Sequence, residues 1–202
     1  WVGAPVEQKK SGRDLMIAVD LSGSMETRDF ILPNGDTVNR LQAVKEVLKE
    51  LAKQRASDRL GLIVFGNAAY LQTPFTDDHA VWEQLLLETE IAMAGQSTVF
   101  GDAIGLAIKR LRNRPAESRV LILLTDGANT AGTEPLQAAT IAAEAEIKIH
   151  TIGVGADKIT RRGIFGRSRQ VNPSAELDEK TLTSIANISG GKYFRARNPK
   201  EL

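Results

Sequence analysis

The chain has 202 residues, 42% hydrophobic and 25% charged, with a formal net charge of +1 and no cysteine. That size and balance suit a single globular domain with a sizeable core, and the lack of cysteine excludes a disulfide framework, a thiolate zinc site and cysteine catalysis without fixing the compartment. The near-neutral charge gives no global field toward nucleic acid or an anionic surface, and no apolar run reaches the ~18 residues needed to cross a bilayer.

Beginning at Trp1, with neither an initiator Met nor a signal-peptide pattern, the chain reads as an excised or processed segment, and any membrane anchor is expected outside it. One domain over residues 1–202 is expected, with 1–13 as an N-terminal extension and a core at about 14–196. The run Leu15-Met16-Ile17-Ala18-Val19 is almost purely apolar, as a strand buried on both faces should be. Asp20-Leu21-Ser22-Gly23-Ser24-Met25 follows it directly. Residues 26–38 then contain Asn34-Gly35, a two-residue hairpin signal, so a small β-ribbon is expected there. Phe30, Ile31 and Leu32 could form an apolar rim for a partner, but the simpler reading, that Phe30 and Leu32 pin the ribbon to the first helix, is preferred.

In 38–54, Leu41, Val44, Leu48 and Leu51 recur three or four apart, which predicts an amphipathic helix. Leu60 to Phe65 predicts the second buried strand, hairpinned through Asn67-Ala68-Ala69 to a short strand at Tyr70-Leu71-Gln72-Thr73. A helix over 78–88 opens on two aspartates, where the dipole and solvent account for His79. Gly95-Gln96-Ser97-Thr98-Val99-Phe100-Gly101 leads into a helix over 101–112. Val120 to Leu124 is the third buried run, followed by Thr125-Asp126-Gly127. A helix over 134–145, a strand Ile147 to Ile152 in which His150 reads as a packing residue, a helix over 178–188 and an edge strand Lys192-Tyr193-Phe194 complete the set. Residues 157–172, with Arg161, Arg162, Arg167 and Arg169 around Phe165, read as a solvated, mobile loop rather than a contact for acidic lipid or an acidic partner. Alternating strands and helices predict a doubly wound, Rossmann-like α/β fold: a mostly parallel sheet, helices on both faces and one antiparallel edge strand. Ligands of such sheets bind at the carboxyl ends of the strands, where the strand order reverses.

That edge collects oxygen. Asp20, Ser22 and Ser24 offer three hard oxygens at alternate positions, Asp126 ends the third buried run, and Ser97 and Thr98 supply hydroxyls at a helix entrance. With neither nitrogen nor sulfur among the donors, the set suits Mg²⁺ or Mn²⁺ in octahedral geometry better than Ca²⁺.

These residues resemble the metal-ion-dependent adhesion site (MIDAS) of the von Willebrand factor A (VWA) family, which joins Asp-x-Ser-x-Ser to a Thr and an Asp from two later loops. Carried onto this sequence, the resemblance implies Asp20, Ser22, Ser24, Thr98 and Asp126 as metal ligands, with Thr98 preferred to the adjacent Ser97 for its distance before the helix. Ser11-Gly12-Arg13-Asp14-Leu15-Met16, Asp58-Arg59-Leu60-Gly61-Leu62, Leu124 through Gly132, and His150-Thr151-Ile152-Gly153-Val154-Gly155 are similar to BatA proteins of the Bacteroides aerotolerance group. That likeness implies a bacterial inner-membrane protein whose domain faces the periplasm. Other Bat-type envelope proteins and a MoxR-type ATPase are its implied associates.

A cation held mainly by neutral hydroxyls keeps much of its charge and an exchangeable position. The expected function is therefore metal-dependent adhesion to a Glu or Asp carboxylate of a partner protein, not catalysis. A Mg²⁺-dependent hydrolase and a metal-independent scaffold stand as alternatives. Against the first, Ser22 stands where a dehalogenase-type phosphatase needs a second Asp as general acid. Gly153-Val154-Gly155 follows a late strand and Lys158 takes the place of a third Gly, which argues against a dinucleotide site.

Overall fold

A computed structural model describes residues 12–91, 97–156, 159–162, 168–171 and 177–197. Most of the N-terminal extension, Gly95, Gln96, Phe165 and Arg167 lie outside the described residues. The main sheet has six strands: β1 (Asp14–Asp20), β4 (Arg59–Phe65), β5 (Ala69–Thr76), β6 (Arg119–Thr125), β7 (Lys148–Val154) and β10 (Tyr193–Ala196). Their order is β10-β7-β6-β1-β4-β5, parallel throughout except for the antiparallel β4–β5 pair. Every residue of β1 is buried, as its apolar run requires of a central strand.

Alternation along β1 divides the core. Leu15, Ile17 and Val19 pack with Leu41, Val44 and Leu48 of α1 (Arg40–Gln54) and with Trp82 and Leu86 of α2 (His79–Leu87). Met16 and Ala18 face the other layer, built by α3 (Phe100–Leu111), α4 (Pro135–Glu144) and α5 (Glu179–Ser189). The doubly wound fold expected from the sequence is therefore the one observed.

Some boundaries differ from the sequence reading for identifiable reasons. Strand β5 continues through Pro74 to Thr76; as an edge strand it needs no ladder donor at that proline. The ribbon pairs β2 (Phe30–Ile31) with β3 (Thr37–Val38), and its tight turn closes by the Gly35 N–H donating to Leu32 O at 2.8 Å. Pro33 and Asn34 thus occupy the turn's centre, with Gly35 beyond them at φ +90°, the arrangement of a three-residue hairpin rather than the two-residue Asn-Gly turn. Phe30 is fully buried and Leu32 packs against the α1 layer, so both pin the ribbon, while Ile31 is exposed. Within the stretch expected to be loop, β8 (Ile159–Arg162) pairs antiparallel with β9 (Ser168–Val171).

At the amino ends of the strands, buried Asp14 receives hydrogen bonds from Arg114 and Ser118 and an ion pair from Arg59. Burial works to raise its pKa, but these partners outweigh it and hold the carboxyl below its ordinary value. No helix among the described residues is long and apolar enough to cross a membrane.

Candidate metal centre

The chain leaves β1 for β4 on one side of the sheet and later fills the other side with β6, β7 and β10. The strand order therefore reverses between β1 and β6, and their carboxyl ends open the crevice where such sheets bind ligands. Asp20 is the last residue of β1, and Asp126 directly follows β6.

Asp20 is wholly buried; its Oδ1 accepts from the Ser22 N–H at 2.8 Å and its Oδ2 from the Thr125 hydroxyl at 2.7 Å. Ser22 and Ser24, both half-buried, place their hydroxyl oxygens 3.0 Å apart, and the Ser24 hydroxyl donates to Asp126 Oδ1 at 2.7 Å. Four of the five sequence-predicted residues thus form one hydrogen-bonded chain from Asp20, through the Ser22 N–H and the Ser22 and Ser24 hydroxyls, to Asp126. Gly23 leaves the loop uncrowded, since a Cβ there would meet nothing within 4 Å.

Thr98 is placed on the same rim by a different route. Its loop is tied to the sheet where the Val99 N–H donates to Gly66 O, just beyond β4. It is stitched to the loop after β6 by the Thr98 N–H to the Thr130 hydroxyl at 2.8 Å and the Thr130 N–H back to Thr98 O at 2.9 Å. Asn129 adds a bond from the Gly101 N–H, in a contact so close that a Cβ on Gly101 would lie 2.0 Å from Thr133 O. Among the described residues, these hydrogen bonds fix the Thr98 backbone, and none joins its hydroxyl to the other four. Ser97, its neighbour, is held through its N–H by Asn67.

Burial and then the charge of Asp126 push the Asp20 pKa up to about 7, against hydrogen bonds from Ser22 and Thr125. Asp126 is likewise raised, by burial, against hydrogen bonds from Ser24 and Arg40 and the Arg40 charge. Among the described residues no cation contacts Asp20. Two buried carboxylates set side by side, with hydroxyls half-open to solvent, form a donor set short of positive charge, and a divalent ion fits it. No described group of three or more His, Asp or Glu could hold a metal; this set combines two carboxylates with hydroxyls instead.

Sequence reasoning missed three participants. Thr125 orients Asp20 although its signal was at hand, immediately before Asp126. Arg40 and Asp29 form a buried pair in which the Arg40 Nε donates to Asp29 Oδ1 at 3.0 Å and its Nη1 to Asp126 Oδ2 at 3.0 Å. Arg40 is 1% exposed, and its pKa is raised because Asp29 and Asp126 outweigh the effect of burial. The available signal was an arginine at the first position of a helix, where a cation opposes the dipole.

Comparison with known proteins agrees with this fold. A family model described as the von Willebrand factor type A domain matches residues 14–202. An uncharacterized protein of Borreliella burgdorferi is 28% identical over 201 residues, 95% of this chain and 58% of that protein, so the chain spans only part of the length of the curated relative. The crystal structure of BatB from Bacteroides thetaiotaomicron is similar with a TM-score of 0.74 and 28% identity, over 94% of this chain and 97% of that one. An aerotolerance-related membrane protein from Bacteroides fragilis gives a TM-score of 0.74 and 28% identity, over 93% of each chain. The sequence motifs resemble BatA, whereas the similar Bacteroides thetaiotaomicron structure is of BatB.

Proposed function

This chain belongs to the von Willebrand factor type A family, and from that membership we propose that it is a metal-dependent protein-binding domain. The observation that carries the proposal is the buried pair Asp20 and Asp126, linked by the Ser22 N–H and the Ser22 and Ser24 hydroxyls at the reversal of strand order. Asp20, Ser22, Ser24, Thr98 and Asp126 would hold Mg²⁺ or Mn²⁺. When bound, the cation supplies an electrophilic position that a Glu or Asp of a partner can complete.

The protein's own part is preorganisation. The Ser22 N–H and the Thr125 hydroxyl fix both oxygens of Asp20, Ser24 fixes one oxygen of Asp126, and the loops bearing Thr98 and Thr130 are tied together by two hydrogen bonds, one to the Thr130 hydroxyl and one between backbones. Binding rather than catalysis is favoured because both histidines are engaged elsewhere. His79 places both ring nitrogens on carbonyl oxygens, Ala52 O at 3.1 Å and Asp58 O at 2.7 Å, near the amino end of β4. His150 accepts from the Lys192 N–H and lies against Phe194.

The likeness to an aerotolerance-related membrane protein supports placement at a membrane, and the location proposed is a bacterial inner membrane with this domain facing the periplasm. Other Bat-type envelope proteins and a MoxR-type ATPase are the proposed associates. A pull-down from envelope extract tests the function. Capture of a partner should require Mg²⁺ or Mn²⁺ and be lost in Asp20→Ala and Ser22→Ala, both folded by circular dichroism; capture that persists in EDTA overturns the proposal. A thermal-shift titration separates the metal-free scaffold, for which millimolar metal would leave Tm unchanged.

A further inference from the structure

Arg40 is among the largest fully buried side chains, and it is charged. It stands at the first position of α1, where the helix dipole disfavours a cation, so its placement answers to its partners rather than to its helix. Those partners are two carboxylates without exposed side-chain surface. One edge of the guanidinium meets Asp29 by three bonds, Nε to Oδ1 at 3.0 Å, Nε to Oδ2 at 3.1 Å and Nη2 to Oδ2 at 2.8 Å. The Nη1 reaches Asp126 Oδ2 at 3.0 Å. Asp29 Oδ2 also accepts from the Ala156 N–H just beyond β7, so the Asp29 carboxylate is held from two sides.

Two consequences follow. With Oδ2 of Asp126 taken by Arg40 and Oδ1 by Ser24, the orientation of that carboxylate is fixed before any ligand arrives. The charges also sum simply: within this cluster of described residues, Asp20, Asp29 and Asp126 are acidic and Arg40 is basic, which leaves two negative charges for a divalent ion to balance, while buried Asp14 and Asp58 lie at the amino ends of the strands. Without Asp29, the arginine's charge would face the metal across Asp126 with less to offset it.

We propose that Asp29 and Arg40 are a positioning pair for the metal site, aiming Asp126 and setting the buried charge so that the site accepts a divalent cation, although neither residue is among the proposed ligands. The proposal rests on the metal-site reading above. Outer ligands of this kind alter metal affinity by changing the orientation and charge of the residues that touch the ion.

The test is Mn²⁺ binding, followed by the electron paramagnetic resonance signal of free Mn²⁺, for wild type, Asp29→Asn and the double variant Asp29→Asn/Arg40→Gln, each melted in chelator to show that it is folded. Asp29→Asn should weaken binding by about tenfold or more. The double variant, which restores the original charge sum, should recover much of that loss. A pair that merely glued the ribbon to the core would lower Tm in both variants without such recovery. Unchanged affinity in Asp29→Asn, or a double variant weaker than the single, overturns the proposal. Should Asp29→Asn not fold, Arg40→Lys keeps the charge but loses the fork, and undiminished Mn²⁺ affinity there overturns it equally. A wild type that binds no Mn²⁺ overturns the metal-site reading itself, and the pair's role with it.

Discussion

Asp20 carries a buried carboxylate next to that of Asp126, and its ionisation should be visible in stability. Its folded value of about 7 lies above the ordinary 3.8, so between those pH values the folded chain binds more protons than the unfolded one. Its contribution therefore favours folding less as pH rises through that window. Asp14 has the opposite sign: its lowered pKa supplies stability above the unfolded value that is lost as pH falls through the folded one. Comparing wild type with Asp20→Asn removes that second contribution. In chelator the two should have similar Tm at pH 4, and Asp20→Asn should be the more stable at pH 8. Saturating Mn²⁺ should raise wild type and leave the variant unmoved. A wild type more stable than Asp20→Asn in chelator at pH 8 would contradict this account. At this scale the oxygens of Asp20, Ser22, Ser24 and Asp126, the candidate ligands, were legible in the sequence, because they sit beside the buried strands in two short motifs. The sequence could not reveal Arg40 as their neighbour, whose carboxylate partners lie 11 and 86 residues away along the chain.

Helix α1 shows how one element serves both the core and the site. Its inner face buries Leu41, Val44 and Leu48, while its first residue delivers Arg40 to Asp126. Asn39 caps that end, its side chain accepting from the Gln42 N–H at 2.8 Å. Asn39→Ala should cost about 1 kcal/mol of stability, measured by urea denaturation. At the helix's other end, the two His79 ring nitrogens lie against the Ala52 and Asp58 carbonyls at 3.1 and 2.7 Å. The sequence reading of His79 as a helix-start residue in solvent missed this clasp, since it depends on two carbonyls brought together by tertiary packing. Helix spans were legible to within a residue or two because apolar spacing records the buried stripe. The continuation of β5 past Pro74 was not, because only the sheet order shows that β5 is an edge where proline is tolerated.

For the whole molecule, the alternation of strands and helices indicated the doubly wound fold. The sheet order then locates the reversal between β1 and β6, which no single motif discloses. The oxygens meeting there come from distant stretches of chain: the Thr125 hydroxyl reaches Asp20 across 105 residues and the Ser24 hydroxyl reaches Asp126 across 102. Closing loops of that length has an entropic cost that must be met before the oxygens can converge. The proposed cation site would therefore have no precursor in the unfolded chain and would form only after β1 and β6 have paired. An ion that binds so late acts on the native side of the folding barrier. Mn²⁺ should slow unfolding and scarcely change the refolding rate, a difference that stopped-flow measurements with and without chelator would resolve. The metal would then act as a latch on a finished domain, prolonging its lifetime without guiding its assembly.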